Sequence, residues 1–175
     1  MMFETSRLWA RHFREDDLDE FAALCADSEV MRFVGDGSTL TRAEVAHRID
    51  VCQEKYAHRG YGTSAIFEKT SGSFIGYCGV VRALGQSFDE LVYVFRQESW
   101  GAGYATEIGQ AMLTYGFSIS PLDSISATIE PENERSKQVA AKLGMTETPT
   151  TDATVSYWSI QRPGIEAPAS MPAAS

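Results

Sequence analysis

No apolar run in this chain approaches the ~18–20 residues needed to span a bilayer. Its first residues, Met-Met-Phe-Glu-Thr-Ser-Arg, lack the basic-then-apolar order of a secretion signal. No membrane role is expected, and the cytoplasm is the expected location. Cysteine is scarce and scattered, with Cys25, Cys52 and Cys78 far apart and no C-x-x-C pair. Such a set forms neither a disulfide framework nor a zinc site. Two of the three fall at apolar positions of candidate helices and the third in a candidate buried strand, so core packing is their expected role. His12, His47 and His58 show no spacing to Cys or Asp that suggests a metal site or a nucleophilic triad; no metal is expected. Positive charge is also short. Fifteen Lys and Arg face 24 Asp and Glu, giving a net charge of −9 and a pI of about 4.8. That balance argues against nucleic acid, whose binders need basic patches to release counterions. It suits a cationic amine drawn to an acidic surface.

What remains is the composition of one globular domain. The 175 residues are 43% hydrophobic and 22% charged, enough to bury a core. The domain is expected over residues 1–162, and the Pro/Ala/Ser-rich stretch 163–175 reads as a loose tail. Alternation predicts strands over Arg7–Phe13, Thr63–Phe67, Phe74–Val81, Phe88–Phe95, Ser124–Ile129, Met145 onward and Val155–Ile160. Helical spacing predicts four helices. The first starts in the acidic run Glu15–Asp19 and carries Leu18, Phe21 and Cys25. The second, capped by Thr41 and ended by Gly60 and Gly62, carries Val45, Ile49, Cys52 and Tyr56. The third runs from Gly101 through Ile119, and the last from Asn133 to Leu143. Strands alternate with helices only in the second half, so the expected class is α/β (α+β) with a mixed sheet of about seven strands.

The chemistry is carried by Trp100-Gly101-Ala102-Gly103-Tyr104-Ala105-Thr106-Glu107, between an apolar strand and an amphipathic helix. Glycine lets backbone approach a ligand without an intervening Cβ. The first amides of a helix lack intrahelical partners, and the helix dipole adds partial positive charge. Strand, Gly-x-Gly, helix is therefore a cradle for a pyrophosphate. On Gly-x-Gly alone, that cradle and a ligand-free tight turn stand equally open. A Walker loop would end in Gly-Lys-Ser/Thr, and here the sequence is Gly-Tyr-Ala. A dinucleotide fingerprint would put glycine where Thr106 stands, near the start of a βαβ unit.

With its flanking strand Glu90-Leu-Val-Tyr-Val94, this segment resembles the acetyl-CoA loop of the GNAT N-acetyltransferase superfamily. It is most similar to the branch of Rim-type ribosomal-protein N-terminal acetyltransferases. The likeness extends through Thr5–Phe13, Glu29–Val34, Phe74–Gly76 and Asn133–Met145, in order along nearly the whole chain. The resemblance implies a central sheet whose fourth and fifth strands, Phe88–Phe95 and Ser124–Ile129, splay apart. The pantetheine arm of acetyl-CoA, the cosubstrate, would lie in the gap against the backbone of Val94, Phe95 and Arg96. Its pyrophosphate would sit on the amides of Gly101, Ala102, Gly103, Tyr104, Ala105 and Thr106.

Site residues carry two readings each. Asn133 is an N-cap by position; the resemblance makes it a contact of the pantetheine or acetyl group. Ser136 is a small residue on the helix face that holds Val139, Ala140 and Leu143; the resemblance makes it a general acid to the leaving thiolate. Many family members carry a tyrosine one turn later, where this chain has Ala140. With a thiol pKa of roughly 8.5 the thiolate leaves tolerably without an acid. Glu90 is either a solvated charge at a strand end or a base removing the ammonium proton through one water, with Asp89 as its neighbour on the other strand face. Glu107 complements the helix dipole, and Trp100 and Tyr104 pack beside the cofactor or against the second helix.

The expected activity is acetyl transfer to a primary amine, by direct attack on the thioester and without a covalent enzyme intermediate. The acceptor is a protein N-terminus or a small amine, and nothing in the sequence chooses between them. The expected pocket for it uses Val30–Val34, Gly35–Ser38 and Thr148–Asp152. The alternatives are an acyl-CoA-binding module without transferase activity and, more distantly, a nucleotide-binding domain. A homodimer is the default if the chain oligomerises.

Overall fold

The predicted alternation becomes paired strands in the computed structural model, which describes residues 2–82 and 87–164. The strands are β1 Phe3–Glu4, β2 Leu8–His12, β3 Thr63–Glu68, β4 Phe74–Val81, β5 Glu90–Phe95, β6 Ser124–Ile129, β7 Thr146–Thr148 and β8 Ser156–Gln161. They form one eight-stranded sheet in the order β1-β2-β3-β4-β5-β6-β8-β7. All neighbours are antiparallel except β5 and β6. The strand beyond the expected seven is β1, two residues long and without room for a periodic pattern.

The helices are α1 Leu18–Cys25, α2 Ser28–Met31, α3 Arg42–Arg59, α4 Tyr104–Ile119 and α5 Glu134–Lys142. Four match the expected ones. The fifth, α2, is a single turn started by Asp27, whose carboxylate accepts the Glu29 and Val30 amides at 3.0 and 3.3 Å. Thr41 caps α3 in a capping box with Glu44, and Gly60 ends it in the left-handed region at φ 75°. No helix among the described residues is long and apolar enough to cross a membrane. From residue 165 on, the expected tail lies outside the described residues.

Strand alternation divides the core into two. Cys78, Val80, Leu91 and Phe95 face α4 and α5, meeting Ile108, Met112, Ala140 and Leu143. Ala65, Phe67, Tyr77 and Val94 face α1, α2 and α3, meeting Phe21, Cys25, Met31 and Ile49. All three cysteines are free and buried, as expected.

The feature that positions the site is the seam between β5 and β6. The two strands share one parallel pair, Glu90 with Ser126. The Ser126 amide fixes it by donating to the Asp89 carbonyl at 2.8 Å. No further pair joins them among the described residues, so the strands part from Leu91 onward. This is the expected splay. On its other edge β5 lies tight against β4: a Cβ on Gly76 would stand 2.1 Å from the Val94 carbonyl oxygen.

Candidate active site

The turn after β5 leaves its donors free. Gly101 and Gly103 take φ of 77° and 80°, which glycine reaches without strain. They swing the chain into α4, whose N-cap Gly103 carries no capping side chain. The amides of Gly101 through Thr106 find no acceptor among the described residues, whereas the flanking amides of Trp100 and Glu107 bond to Gln97 and Gly103 carbonyls. A run of unpartnered N–H groups at the head of a 16-residue helix offers donors and partial positive charge that an anion could use.

A clip behind the turn holds it in place. Glu107 accepts the Thr5 hydroxyl at 2.6 Å, the Ser6 hydroxyl at 3.0 Å, and the Arg7 amide and Nε at 2.9 and 2.7 Å. The Arg7 guanidinium also donates to the Ala102 carbonyl at 2.9 Å and lies 4.6 Å from the centre of the Tyr104 ring. Burial pushes the Glu107 carboxyl up, but these hydrogen bonds outweigh it and hold the group at about 2. Glu107 is thus structural, and it ties the N-terminal segment to α4 more than it serves the dipole. Tyr104, expected beside the cofactor or against the long helix α3, donates its hydroxyl to Glu68 at the end of β3.

Two cavities open on this region. One, of about 1030 Å³, runs from the turn along the ends of β5 and α5. The other, of about 810 Å³, lies between α3 and the β4–β5–β6 face. They share Phe33, Val34, Tyr93, Val94, Asn133 and Ser136, so they meet at the seam where β5 and β6 part.

Of the residues singled out in the sequence, Val94, Phe95, Gly101, Gly103, Tyr104, Ala105, Thr106, Asn133 and Ser136 line the larger cavity. Ala102 does not, because Arg7 takes its carbonyl to the far side of the turn. Nor does Arg96: its amide continues the ladder to the Ile75 carbonyl at 2.9 Å and its guanidinium pairs with Glu20 on α1. Asn133 caps α5, its Oδ1 accepting the Ser136 amide at 3.2 Å, and still lines both cavities. Trp100 donates to the Phe95 carbonyl at 2.8 Å and carries the Arg135 guanidinium 5.1 Å from its ring centre.

Glu90 lines the smaller cavity and takes a hydrogen bond from Thr128 on β6. Asp89 is corrected. It precedes β5, is 2% exposed, and spends its carboxylate on the Tyr61 hydroxyl at 2.8 Å and on Arg82. It has no access to either cavity as a substitute base.

The residue missed in the sequence is Tyr93. From β5 its side chain crosses to α5, where its hydroxyl stands beside that of Ser136. Burial pushes the phenol up to about 12, the Ser136 hydrogen bond opposing. A tyrosine inside an apolar strand reads as core, and only the pairing of Cys78 with Tyr93 and the position of α5 aim it at the seam.

Comparison with known proteins agrees with this geometry. The family described as Acetyltransferase (GNAT) domain matches residues 7–146. Among curated proteins, Uncharacterized N-acetyltransferase YnaD of Bacillus subtilis (strain 168) is 29% identical over 83% of this chain and 82% of its own. Uncharacterized protein YkkB of the same organism is 40% identical, over 50% of this chain and 53% of its own length. Among solved structures, an acetyltransferase from Agrobacterium tumefaciens str. C58 superposes with a TM-score of 0.79 at 21% identity, over 91% of this chain and 94% of that one. RimL, a ribosomal L7/L12 α-N-protein acetyltransferase in complex with coenzyme A, superposes with a TM-score of 0.76 at 13% identity, over 91% and 97%. At these identities the structural likeness establishes a shared fold.

Proposed function

This chain belongs to the GNAT acetyltransferase family, and from that premise we propose that it moves an acetyl group from acetyl-coenzyme A to a primary amine. The observation that carries the reading is the run of unpartnered amides from Gly101 to Thr106, opening on a cavity of about 1030 Å³ that reaches the seam. Those donors fit a pyrophosphate, and the open edge of β5 beyond Leu91 fits an amide-bearing arm such as pantetheine. When bound there, the cosubstrate supplies an activated thioester carbonyl.

The chain's own groups then divide the work. Glu90, in the second cavity, takes the proton that the ammonium must lose, directly or through one water. Tyr93 and Ser136 stand at the junction of the two cavities, where the sulfur of a thioester held in the seam would meet them. A phenol held at about 12 stays protonated beside a thiolate whose conjugate pKa is roughly 8.5. Tyr93 therefore serves as a fixed hydrogen-bond donor that stabilises the departing thiolate, and the proton reaches sulfur from the amine side. Tyr93 thus answers the departure at Ala140, delivering a tyrosine hydroxyl from the strand.

Calorimetric titration with acetyl-coenzyme A, paired with thiol release over a panel of amines, tests the reading. Binding with acceptor-dependent release supports it. Binding without release from any peptide or small amine points instead to an acyl-coenzyme A-binding module, and preferential binding of ATP or NAD to a nucleotide site.

A further inference from the structure

Gly103 leaves the peptide before it two orientations. It stands at φ 80° and ψ 8°, matching the third residue of a type II turn, about +80° and 0°. Turning the Ala102–Gly103 peptide over gives the type I form, in which that residue takes φ of about −90°. Glycine accepts either sign, so the turn's own sequence does not choose. The two forms differ in what faces a ligand. In a trans peptide the carbonyl and the N–H point opposite ways. One form therefore presents the Gly103 N–H, and the other the Ala102 carbonyl oxygen. A phosphate needs the first and is repelled by the second.

Arg7 makes the choice. Its Nη1 donates to the Ala102 carbonyl at 2.9 Å, from 95 residues away in sequence. Gly103 lines the larger cavity, and neither Ala102 nor Arg7 does. The carbonyl is drawn away from the cavity, and the Gly103 N–H is turned toward it. The guanidinium is itself held on several sides. Its Nε donates to Glu107 at 2.7 Å, and its central carbon lies 4.6 Å from the centre of the Tyr104 ring. A Cβ on Gly103 would stand 3.6 Å from Nη2, so the group packs directly under the turn. The Arg7 backbone is pinned as well: its amide donates to Glu107 at 2.9 Å, and its carbonyl accepts the Lys69 amide at 2.8 Å.

We propose that Arg7 is a positioning residue for the cosubstrate. By holding the Ala102 carbonyl behind the turn it keeps the Gly103 amide aimed at the pyrophosphate, and so sets affinity for acetyl-coenzyme A without touching it. The proposal rests on the acetyltransferase reading and adds to it a determinant of donor affinity outside the cavity. Glu107 and Thr5 anchor the N-terminal segment, whereas the bond to Ala102 alone selects the peptide orientation.

The test combines calorimetry of coenzyme A binding with thiol release from acetyl-coenzyme A and from S-acetylpantetheine, which lacks the pyrophosphate. The acceptor is whichever primary amine of the panel the parent uses best. Arg7→Met should weaken coenzyme A binding, and raise KM for acetyl-coenzyme A, by about tenfold or more. Its kcat at saturating acetyl-coenzyme A and its kcat/KM for S-acetylpantetheine should stay within about twofold of the parent. Arg7→Lys lacks the planar fork needed to serve Glu107 and Ala102 together. It should therefore recover stability more than affinity, and it replaces Arg7→Met if that variant folds poorly. Thr5→Val takes one hydroxyl from Glu107 and leaves Ala102 alone. It should lose stability in denaturant unfolding while binding coenzyme A within about twofold of the parent. Parent-like affinity in both Arg7 variants, or a loss shared equally by the two donors, would overturn the proposal and leave the transferase standing. Affinity falling as far in Thr5→Val as in Arg7→Met would also overturn it. A parent that binds no coenzyme A and releases no thiol with any amine would remove the transferase reading and the role of Arg7 with it.

Discussion

The hydroxyl of Tyr93 on β5 stands beside the hydroxyl of Ser136 on the first turn of α5, at the point where the two cavities join. The pair sits where the sheet opens, so it can act on a group held in either cavity. Replacing Tyr93 by Phe keeps the ring in the core and removes only the donor. We expect kcat to fall about tenfold, equivalent to about 1.4 kcal/mol, with acetyl-coenzyme A affinity unchanged by titration. The double variant Tyr93→Phe/Ser136→Ala should fall by less than the product of the single effects, because the two hydroxyls act together. An unchanged kcat in Tyr93→Phe would remove the hydroxyl from the chemistry.

Glu90→Gln keeps the hydrogen bond from Thr128 and removes the base. Turnover at neutral pH should drop by about a hundredfold or more. Raising the pH should recover part of it, as more of the amine arrives deprotonated. Affinity for acetyl-coenzyme A should stay within about twofold, since Glu90 lies outside the larger cavity. A rate equal to that of the parent at neutral pH would contradict the assignment.

Gly103→Val acts on the other half of the site. At φ 80° a β-branched residue is strained, and the turn must move to relieve it, taking the amides of Tyr104 to Thr106 with it. Weaker binding of acetyl-coenzyme A by about tenfold or more is expected in calorimetry. Parent-like affinity would mean that the amide run does not hold the phosphates.

Glu107 predicts an acid-sensitive joint. Its carboxyl is held at about 2, below its ordinary value of 4.5, so it binds fewer protons folded than unfolded. Its contribution to stability is therefore present above about 4.5 and is lost as pH falls through about 2. Glu107→Gln should lower stability at pH 7 by about 1–2 kcal/mol and flatten the pH dependence of denaturant unfolding across that window. An equal slope in parent and variant would contradict the clip.

The fold was legible where a periodic pattern met a stop signal. Val45, Ile49, Cys52 and Tyr56 repeat at helical spacing between Thr41 and Gly60, and both ends of α3 fall at those residues. The turn into α4 was legible for the same reason: glycines between a strand and a helix dictate backbone geometry locally. The side-chain partnerships around the seam were not. Tyr93 and Asp89 owe their places to partners on other elements, Ser136 and Tyr61, that local spacing does not encode. In sequence Tyr93 is one more apolar strand residue, and Asp89 is as available as Glu90. Ala102 and Arg96 lay in the right segment, yet Arg7 and Glu20, distant in sequence, draw them out of the cavity lining.

The most direct test of the whole account is release of free thiol from acetyl-coenzyme A by the purified chain, measured with and without an added primary amine. The account predicts release that depends on both enzyme and amine, with the acetylated amine found as product in equal amount by mass spectrometry. Release that ignores the amine, or none while acetyl-coenzyme A binds, would contradict it.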